Sequence, residues 1–318
     1  MILVTGGLGF IGSHTARALL DLGASCVLTR HRANRIPDFI EHELGTRVFI
    51  EPLDVADQSA LLEVGRRHTI TGIVHLAGGG PGGTEPLQQV RVDLEGLLNV
   101  LQAARDWGVA RVSIASTIGV YGGVPELRWH EELPLPMLAT HAIPTLKKCF
   151  ELLGTFVGTQ ANWEVVNFRP SAIWGPLGRP ESIFFATPHL VHAAVNGAAA
   201  KSPPPRRPVY AENGIDMCYV KDCGRAIALL QTTPKLHHPT YNIGSGRVTT
   251  NQEVVAAIKR IVPEAKIELP AGRDPGGQAG DAYLDITRIQ EDTGFEPAYD
   301  VERGVADYID WLRTGHER

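Results

Sequence analysis

Short apolar runs alternate with longer amphipathic stretches through the first half of this chain. The apolar runs predict strands, and apolar residues recurring at helical spacing between them predict helices. Strands that alternate with helices imply an α/β fold, a doubly wound parallel sheet with helices on both faces. The predicted strands are residues 2–5, 26–28, 47–50, 72–77, 112–115 and 165–168, and the predicted helices are residues 14–22, 58–68, 87–107 and 142–157.

The first apolar run ends in a turn with spaced glycines, Thr5-Gly6-Gly7-Leu8-Gly9-Phe10-Ile11-Gly12. Glycine permits a tight turn and allows backbone N–H groups to approach a pyrophosphate closely. The helix predicted behind the turn presents unpaired N–H groups and the positive end of its dipole to an anion. The turn therefore predicts a dinucleotide site, and the alternative is a strand–helix turn that binds no ligand.

Composition is that of an ordinary globular protein. The chain has 318 residues, of which 43% are hydrophobic and 20% charged, and its net charge is −5. That charge argues against nucleic-acid or anionic-membrane partners. No apolar run could span a bilayer, and a strand at residue 2 predicts no leader segment. Four dispersed cysteines predict reduced thiols and a cytoplasmic location.

Further motifs follow the glycine turn in a recognisable order. They lie at residues 75–78, 116–122, 167–170, 174–176, 219–222, 241–246 and 284–288. With these motifs the chain resembles the extended short-chain dehydrogenase/reductase family, of the NAD(P)-dependent epimerase/dehydratase type. The resemblance covers nearly the whole length and is specific for a Rossmann-like fold, far less so for one reaction.

The resemblance also implies a domain organisation and an assembly. It implies a Rossmann domain over residues 1–168 and a mainly substrate-binding α/β region over residues 169–318, with segments around 209–232 returning to the Rossmann domain. It implies a homodimer, because the family pairs its subunits through two helices, and residues 99–105 and 146–156 carry apolar faces.

A set of cofactor contacts follows from the same resemblance. Asp54 looks like the acidic residue that contacts adenine, and the strand end at His75 lies beside the cofactor. Lys147 matches the family's lysine because Glu151 follows at the usual spacing. It would hold the cofactor ribose, and the alternative is a catalytic role through its charge. The implied cofactor residues are Gly6, Gly9, Phe10, Ile11, Gly12, Asp54, Val55, His75, Ala77 and Lys147.

The end of the second strand predicts which dinucleotide binds. An acidic residue there usually binds the adenosine ribose and favours NAD. Here Arg30, His31 and Arg32 stand instead. Arginine pairs with a 2′-phosphate through charge-assisted hydrogen bonds, so we expect NADP, with NAD as the alternative. The other interpretation is that both arginines are solvated loop residues.

The catalytic positions depart from the family pattern. The family's chemistry runs on a Tyr-x-x-x-Lys pair, but four residues before Lys147 stands Ile143. Losing a general acid typically costs about 10²–10⁴-fold in rate. Thr117, in the place of the family's catalytic hydroxyl, would polarise a substrate oxygen. His141 is the candidate substitute acid or base, and the alternative is a surface or helix-cap histidine. Tyr121 is a further possible donor, although the resemblance gives it a structural role.

Two positions where family members carry arginines for a substrate diphosphate are also changed, to Ile215 and to the segment 278–281. These changes favour an oxidoreductase or isomerase acting on a small carbonyl or hydroxyl compound. The alternatives are a nucleotide-sugar epimerase or reductase, and a non-redox or sensory protein that retains the cofactor pocket. His189 and His192 have no third ligand at a recognisable spacing, so no metal is expected.

Overall fold

The computed structural model describes residues 1–31, 35–78, 85–139, 141–182, 184–197, 209–277 and 280–318. The strands are β1 Ile2–Thr5, β2 Cys26–Arg30, β3 Val48–Pro52, β4 Gly72–His75, β5 Arg111–Ala115, β6 Arg128–Trp129, β7 Glu164–Pro170, β8 Ala172–Trp174, β9 Gly214–Ile215, β10 Met217–Tyr219, β11 Thr240–Ile243, β12 Thr249–Thr250 and β13 Tyr283–Leu284. The helices are α1 Phe10–Asp21, α2 Asp38–Glu41, α3 Gln58–Arg67, α4 Pro86–Asp106, α5 Ala142–Ala161, α6 Thr187–Val195, α7 Val220–Thr232, α8 Asn251–Ile261, α9 Thr287–Thr293 and α10 Val301–Arg313, with a 3₁₀ helix at Ile118–Tyr121.

Seven strands form the central sheet in the order β11-β7-β5-β4-β1-β2-β3. Every neighbouring pair in it is parallel. The chain winds from β1 to β3 in one direction and from β4 onward in the other. This confirms the expected doubly wound α/β fold. In such sheets the ligand crevice lies outside the carboxyl ends of the strands where the winding reverses, which here are β1 and β4.

Helices cover both faces of this sheet. Successive side chains of a strand point to opposite faces. Leu3 accordingly packs in a buried cluster with residues of α3 and α4, whereas Val4 packs in a cluster with residues of α1 and α7. Burial on both sides explains why β1 is a continuous apolar run and does not alternate with polar residues.

The helix boundaries differ from those expected. Helix α1 begins at Phe10, four residues before the predicted start, because Gly9 is its N-cap and the glycine turn leads straight into it. Helix α5 continues to Ala161 and ends where Asn162 takes a left-handed conformation with φ of 49°. Within the described ranges, no helix has the length and apolar character needed to cross a membrane.

Residues beyond 168 contribute to two regions. A separate buried cluster joins α6, α8 and α10 around Trp174 and Tyr219, whose rings lie 5.0 Å apart. Strand β11 pairs with β7 at the edge of the central sheet. Helix α7 packs on α1 so closely that a Cβ at Gly224 would lie 2.6 Å from the carbonyl carbon of His14.

His14 itself is buried where α1 meets the loop after β8. Its Nε2 lies 3.1 Å from the carbonyl oxygen of Pro176, to which it donates, and its ring stacks on Phe39 with centroids 4.8 Å apart. Burial is the largest influence on this imidazole and lowers its pKa to about 4, with the Pro176 hydrogen bond opposing the shift. The folded protein therefore disfavours a proton on His14.

We expect the stability of the protein to fall as the pH is lowered from about 6.5 to about 4. In this interval the unfolded chain binds a proton on His14 that the folded protein excludes, and the loss reaches about 3 kcal/mol. Urea unfolding near pH 7 and near pH 5 measures it. His14→Gln, which keeps a donor for Pro176, should lose less stability on acidification than the wild type. The exposed His42→Gln is the control, and equal losses in both variants would contradict the assignment.

Candidate cofactor and catalytic site

The glycine turn is closed by backbone contacts that leave no room for side chains. Gly6 has φ of 68°, and its amide donates to Oγ1 of Thr29 at 2.9 Å. A Cβ at Gly12 would lie 2.4 Å from the carbonyl oxygen of Gly6, and one at Gly7 would lie 2.8 Å from Cα of Leu28. The first turn of α1 therefore packs directly against the end of β1.

The start of α1 has the chemistry of an anion site. Gly9, the N-cap, has no side chain to bond the first amides, and the first turn contains no acidic residue. The leading N–H groups of a helix have no intrahelical partner, and they carry the positive end of its dipole. Phe10 and Ile11 begin this turn and are half-buried. The cradle fits the pyrophosphate of a dinucleotide.

The neighbouring strand ends bring further predicted residues to the same edge. Arg30 ends β2 and is half-buried, and its carbonyl accepts from the amide of Leu53 at 2.9 Å. Asp54 follows β3 with Oδ2 3.8 Å from Nε2 of His31, and both side chains are about half exposed. The backbone oxygen of Val55 accepts a hydrogen bond from the side-chain amide of Asn99 on α4. Arg32 lies outside the described residues.

His75 is held in one tautomer by a hydrogen-bond network. The hydroxyl of Thr5 accepts from the amides of Leu76 at 3.2 Å and Ala77 at 3.3 Å, and it lies 2.8 Å from Nδ1 of His75. With its acceptor sites occupied, the hydroxyl donates to Nδ1, which assigns the ring proton to Nε2. Burial lowers the pKa of His75 to about 3, so the imidazole is neutral. Its Nε2 has no hydrogen-bond partner among the described residues.

Lys147 lies close to this imidazole on α5. Its side chain is buried, and Nζ sits 4.5 Å from the ring centroid of Phe150. The same ring stacks on His75 with centroids 6.0 Å apart. Burial lowers the pKa of Lys147 to about 8, while the charge of Asp93 acts in the opposite direction. A lysine of this kind changes protonation much closer to neutrality than an exposed one.

Asp93 is a site residue that sequence reasoning missed. It lies on α4, and a Cβ at Gly78 would be 3.1 Å from its Oδ1 and 4.0 Å from Cζ of Phe150. The sequence signal that could have pointed to Asp93 is its helical spacing from Gly96 and Asn99. Both of these residues pack on Val55. Spacing alone did not reveal that this helix faces α5.

Thr117 lies against the beginning of α5. Its Oγ1 accepts from the amide of Gly119 at 3.1 Å and so caps the 3₁₀ helix. A Cβ at Gly119 would lie 3.5 Å from Oγ1 of Thr117 and 3.6 Å from Cβ of Pro144. Thr117 is therefore next to the helical turn that contains Ile143, the position at which the resemblance predicts a tyrosine.

His141 lies further out, as the N-cap of α5. Its side chain makes no capping hydrogen bond and is exposed, with its ring centroid 6.1 Å from that of Phe184. Thr117 thus lies beside the first turn of α5, Lys147 is buried one turn further along the helix, and His141 is exposed at its N-terminal end.

Tyr121 is held in a buried network. Nη1 of Arg169 donates to its hydroxyl at 2.7 Å, and the hydroxyl donates to Oδ1 of Asn242 at 2.9 Å. Burial is the largest cause that raises the pKa of Tyr121 to about 12. Its ring also stacks on Trp129 with centroids 5.3 Å apart. These contacts give the phenol a structural role and a fixed proton.

Glu151 and Arg169 form a buried ion pair beneath the site. Nε and Nη2 of Arg169 donate to the two carboxylate oxygens at 2.8 and 2.6 Å, and Ser116 donates to the same carboxylate. The pair joins α5 to β7 and raises the pKa of the guanidinium. Among the described residues, no three histidine, cysteine, aspartate or glutamate side chains are grouped as metal ligands.

Sheet order and the glycine turn together define a Rossmann-fold protein. The chain belongs to the NAD dependent epimerase/dehydratase family, whose sequence profile matches residues 2–244. This confirms the resemblance drawn from the motifs.

Characterised relatives match along almost their entire length. UDP-glucose 4-epimerase of Mus musculus is 26% identical, with 98% of this chain and 96% of the relative covered. dTDP-glucose 4,6-dehydratase of Streptomyces griseus is 29% identical, with 98% and 93% covered. Among solved structures, Thermus thermophilus UDP-glucose 4-epimerase in complex with NAD superposes with a TM-score of 0.80 at 25% identity, over 99% of each chain. The Thermotoga maritima epimerase with UDP-glucose has a TM-score of 0.81 at 23% identity, over 98% of each chain.

Proposed function

We propose that this protein is a nicotinamide-dinucleotide-dependent enzyme of the epimerase/dehydratase type that acts on a nucleotide-linked sugar. The observation that carries the proposal is the side-chain-free cradle at Gly6, Gly9 and Gly12 beneath the amides of α1. The substrate class rests on the relatives, which match beyond residue 168 as well as before it. This replaces the small carbonyl compound that the sequence favoured as the leading substrate class.

The proposed roles follow from where the side chains lie. The glycine turn binds the pyrophosphate, Asp54 and Val55 flank the adenine, and His75 and Ala77 line the path toward Lys147. When bound, the cofactor supplies hydride acceptance and return. Thr117 polarises the substrate oxygen. His141 is a weaker candidate for proton transfer because its exposed ring lies at the outer end of α5.

Two observations bear on the form of the dinucleotide. Solved relatives carry NAD, which favours NAD for this chain as well. Arg30, at the end of β2, supplies a cation where a 2′-phosphate would lie, so we propose that it preserves measurable NADP binding alongside NAD.

Calorimetric titration of the cofactor-stripped protein tests the cradle. We expect NAD⁺ to bind the wild type and Gly12→Ala to weaken binding by at least about tenfold, because the new methyl group collides with the carbonyl of Gly6. Gly276→Ala is the matched control, since the nearest atom to its Cβ is 3.6 Å away. Absence of binding to the wild type would refute the proposed function.

The same titration with Arg30→Asp tests the phosphate contact. A carboxylate in this position repels a 2′-phosphate and bonds the ribose hydroxyls, so the ratio of NADP⁺ to NAD⁺ affinity should fall by about tenfold or more. Arg66→Asp, an exposed position on α3, should leave the ratio unchanged. An unaltered ratio in Arg30→Asp would show that Arg30 is a solvated loop residue.

A second substrate class is favoured by one residue that departs from the family. Ile215, half-buried in β9, occupies a place where the family pattern has an arginine for a diphosphate. The other changed place includes residues 278 and 279, outside the described residues. Loss of these cations fits a smaller carbonyl or hydroxyl compound, or a sensory protein that only binds the cofactor.

Incubation of the NAD-loaded protein with UDP-glucose, followed by NMR of the sugar, separates these classes. We expect the configuration or oxidation state at one sugar carbon to change. The rate should be about 10²–10⁴-fold below that of a phenol-dependent enzyme, because Ile143 carries no proton. Turnover of small ketones without turnover of UDP-sugars would favour the second class. Binding without any turnover would favour the sensory protein.

We also propose a homodimer through α4 and α5. These helices pack side by side and leave Leu98, Leu152 and Phe156 exposed at 52%, 72% and 61%. Neighbouring apolar side chains on one surface are typical of an interface between subunits. Such a face can be covered by the same face of a second copy related by a twofold axis.

Sedimentation equilibrium tests this interface. We expect the wild type to sediment as a dimer and Phe156→Glu to shift it toward the monomer, because two buried carboxylates would face each other across the axis. Leu22→Glu, exposed at the end of α1, is the control and should remain dimeric. A monomeric wild type would exclude the proposed dimer.

A further inference from the structure

A lysine of α5 and an aspartate of α4 both lie near the carboxyl end of β4. The ring of Phe150 connects them: Nζ of Lys147 lies 4.5 Å from its centroid. Oδ1 of Asp93 and Cζ of Phe150 both lie within about 4 Å of the Cβ position at Gly78. Because Gly78 closely follows β4, the two charged groups flank the strand end at which the crevice opens.

The electrostatic surroundings of Lys147 are simple. Desolvation lowers its pKa to about 8, and Asp93 is the carboxylate that opposes this effect. From β4, His75 faces it as a neutral ring with its proton on Nε2. One helical turn further along α5, the charge of Glu151 is already matched by Arg169 from β7. Among the described residues, Asp93 is therefore the charged group that favours the protonated form of Lys147, against the larger effect of burial.

The residue at position 143 bears on the chemical role of Lys147 and Asp93. Ile143 lies one turn before Lys147 on the same side of α5, where the family pattern supplies a phenol. The hydroxyl of Thr117 adjoins that turn, and Tyr121 is held between Arg169 and Asn242. His141 is exposed at the end of the helix. Among the described residues of α5, Lys147 and Glu151 are the buried titratable groups on this face; because Glu151 is paired with Arg169, Lys147 is the better candidate to gain and lose a proton.

We propose that Lys147 itself exchanges the proton of the substrate oxygen, and that Asp93 is the positioning residue that holds its charge. The proposal rests on the proposed function. In the oxidative direction the substrate O–H bond breaks and an N–H bond forms on the neutral amine of Lys147. The electron pair of the adjacent C–H bond leaves as hydride to the nicotinamide dinucleotide. In the reductive direction the ammonium returns the proton.

NMR of the cofactor-free protein with ¹³C-labelled lysine tests the role of Asp93 without any turnover. The Lys147 resonance, assigned by its loss in Lys147→Arg, should titrate with a midpoint of about 8. Asp93→Asn should lower the midpoint by about one pH unit, a tenfold change in the protonation equilibrium. Glu95→Gln, exposed on the same helix, is the matched control. An unchanged midpoint in Asp93→Asn would overturn the assignment of Asp93.

The pH dependence of UDP-glucose turnover tests the role of Lys147. The wild-type profile of kcat/KM should bend near the NMR midpoint, and Asp93→Asn should move the bend by the same amount, with Asp93→Glu restoring it. Lys147→Arg should lose about 10²-fold or more in kcat and keep NAD⁺ affinity within about threefold. Lost affinity with an unshifted profile would reduce Lys147 to a ribose contact. Failure of the wild type to bind NAD⁺ would instead refute the proposed function and leave the NMR result standing.

Discussion

The absence of a side chain at Gly12 is the constraint on which this structure depends. Any Cβ there would collide with the carbonyl of Gly6, and one at Gly7 would collide with the backbone of β2. Three backbone segments can therefore meet where a dinucleotide would need them: the end of β1, the second strand and the first turn of α1. This close contact places the positive end of α1 beside the carboxyl end of β1.

A second, polar constraint fixes the opposite wall of the crevice. Glu151 on α5 bonds Arg169 on β7, and Arg169 reaches Tyr121 of the 3₁₀ helix. Buried charges are tolerated only when they are paired and hydrogen-bonded. Here the Glu151 carboxylate and the Arg169 guanidinium are hydrogen-bonded to each other. Helix α5 is thus held against β7 by Glu151, about two turns beyond position 143.

The wall around the glycine turn could be predicted from the sequence more fully than the wall around α5 and β7. The glycine turn, the sheet and the strand-end residues Asp54 and His75 lie in local patterns that require a strand before a turn and a helix after it. Strand β11 was not predicted because Thr240–Ile243 is short and partly polar, and its pairing with β7 comes from distant residues. The start of α1 was placed too late because a capping glycine carries no side-chain signal.

The sequence by itself determined the fold class and the family, because the motifs that define them consist of residues close together along the chain. Only the tertiary structure decided which ionisable groups affect each other's protonation. It brought Asp93 of α4 toward Lys147 of α5, buried His75 in neutral form, held Tyr121 between two partners and left His141 in solvent. Desolvation and Coulomb interaction act through space, so residues more than fifty positions apart set each other's protonation only once the helices have packed.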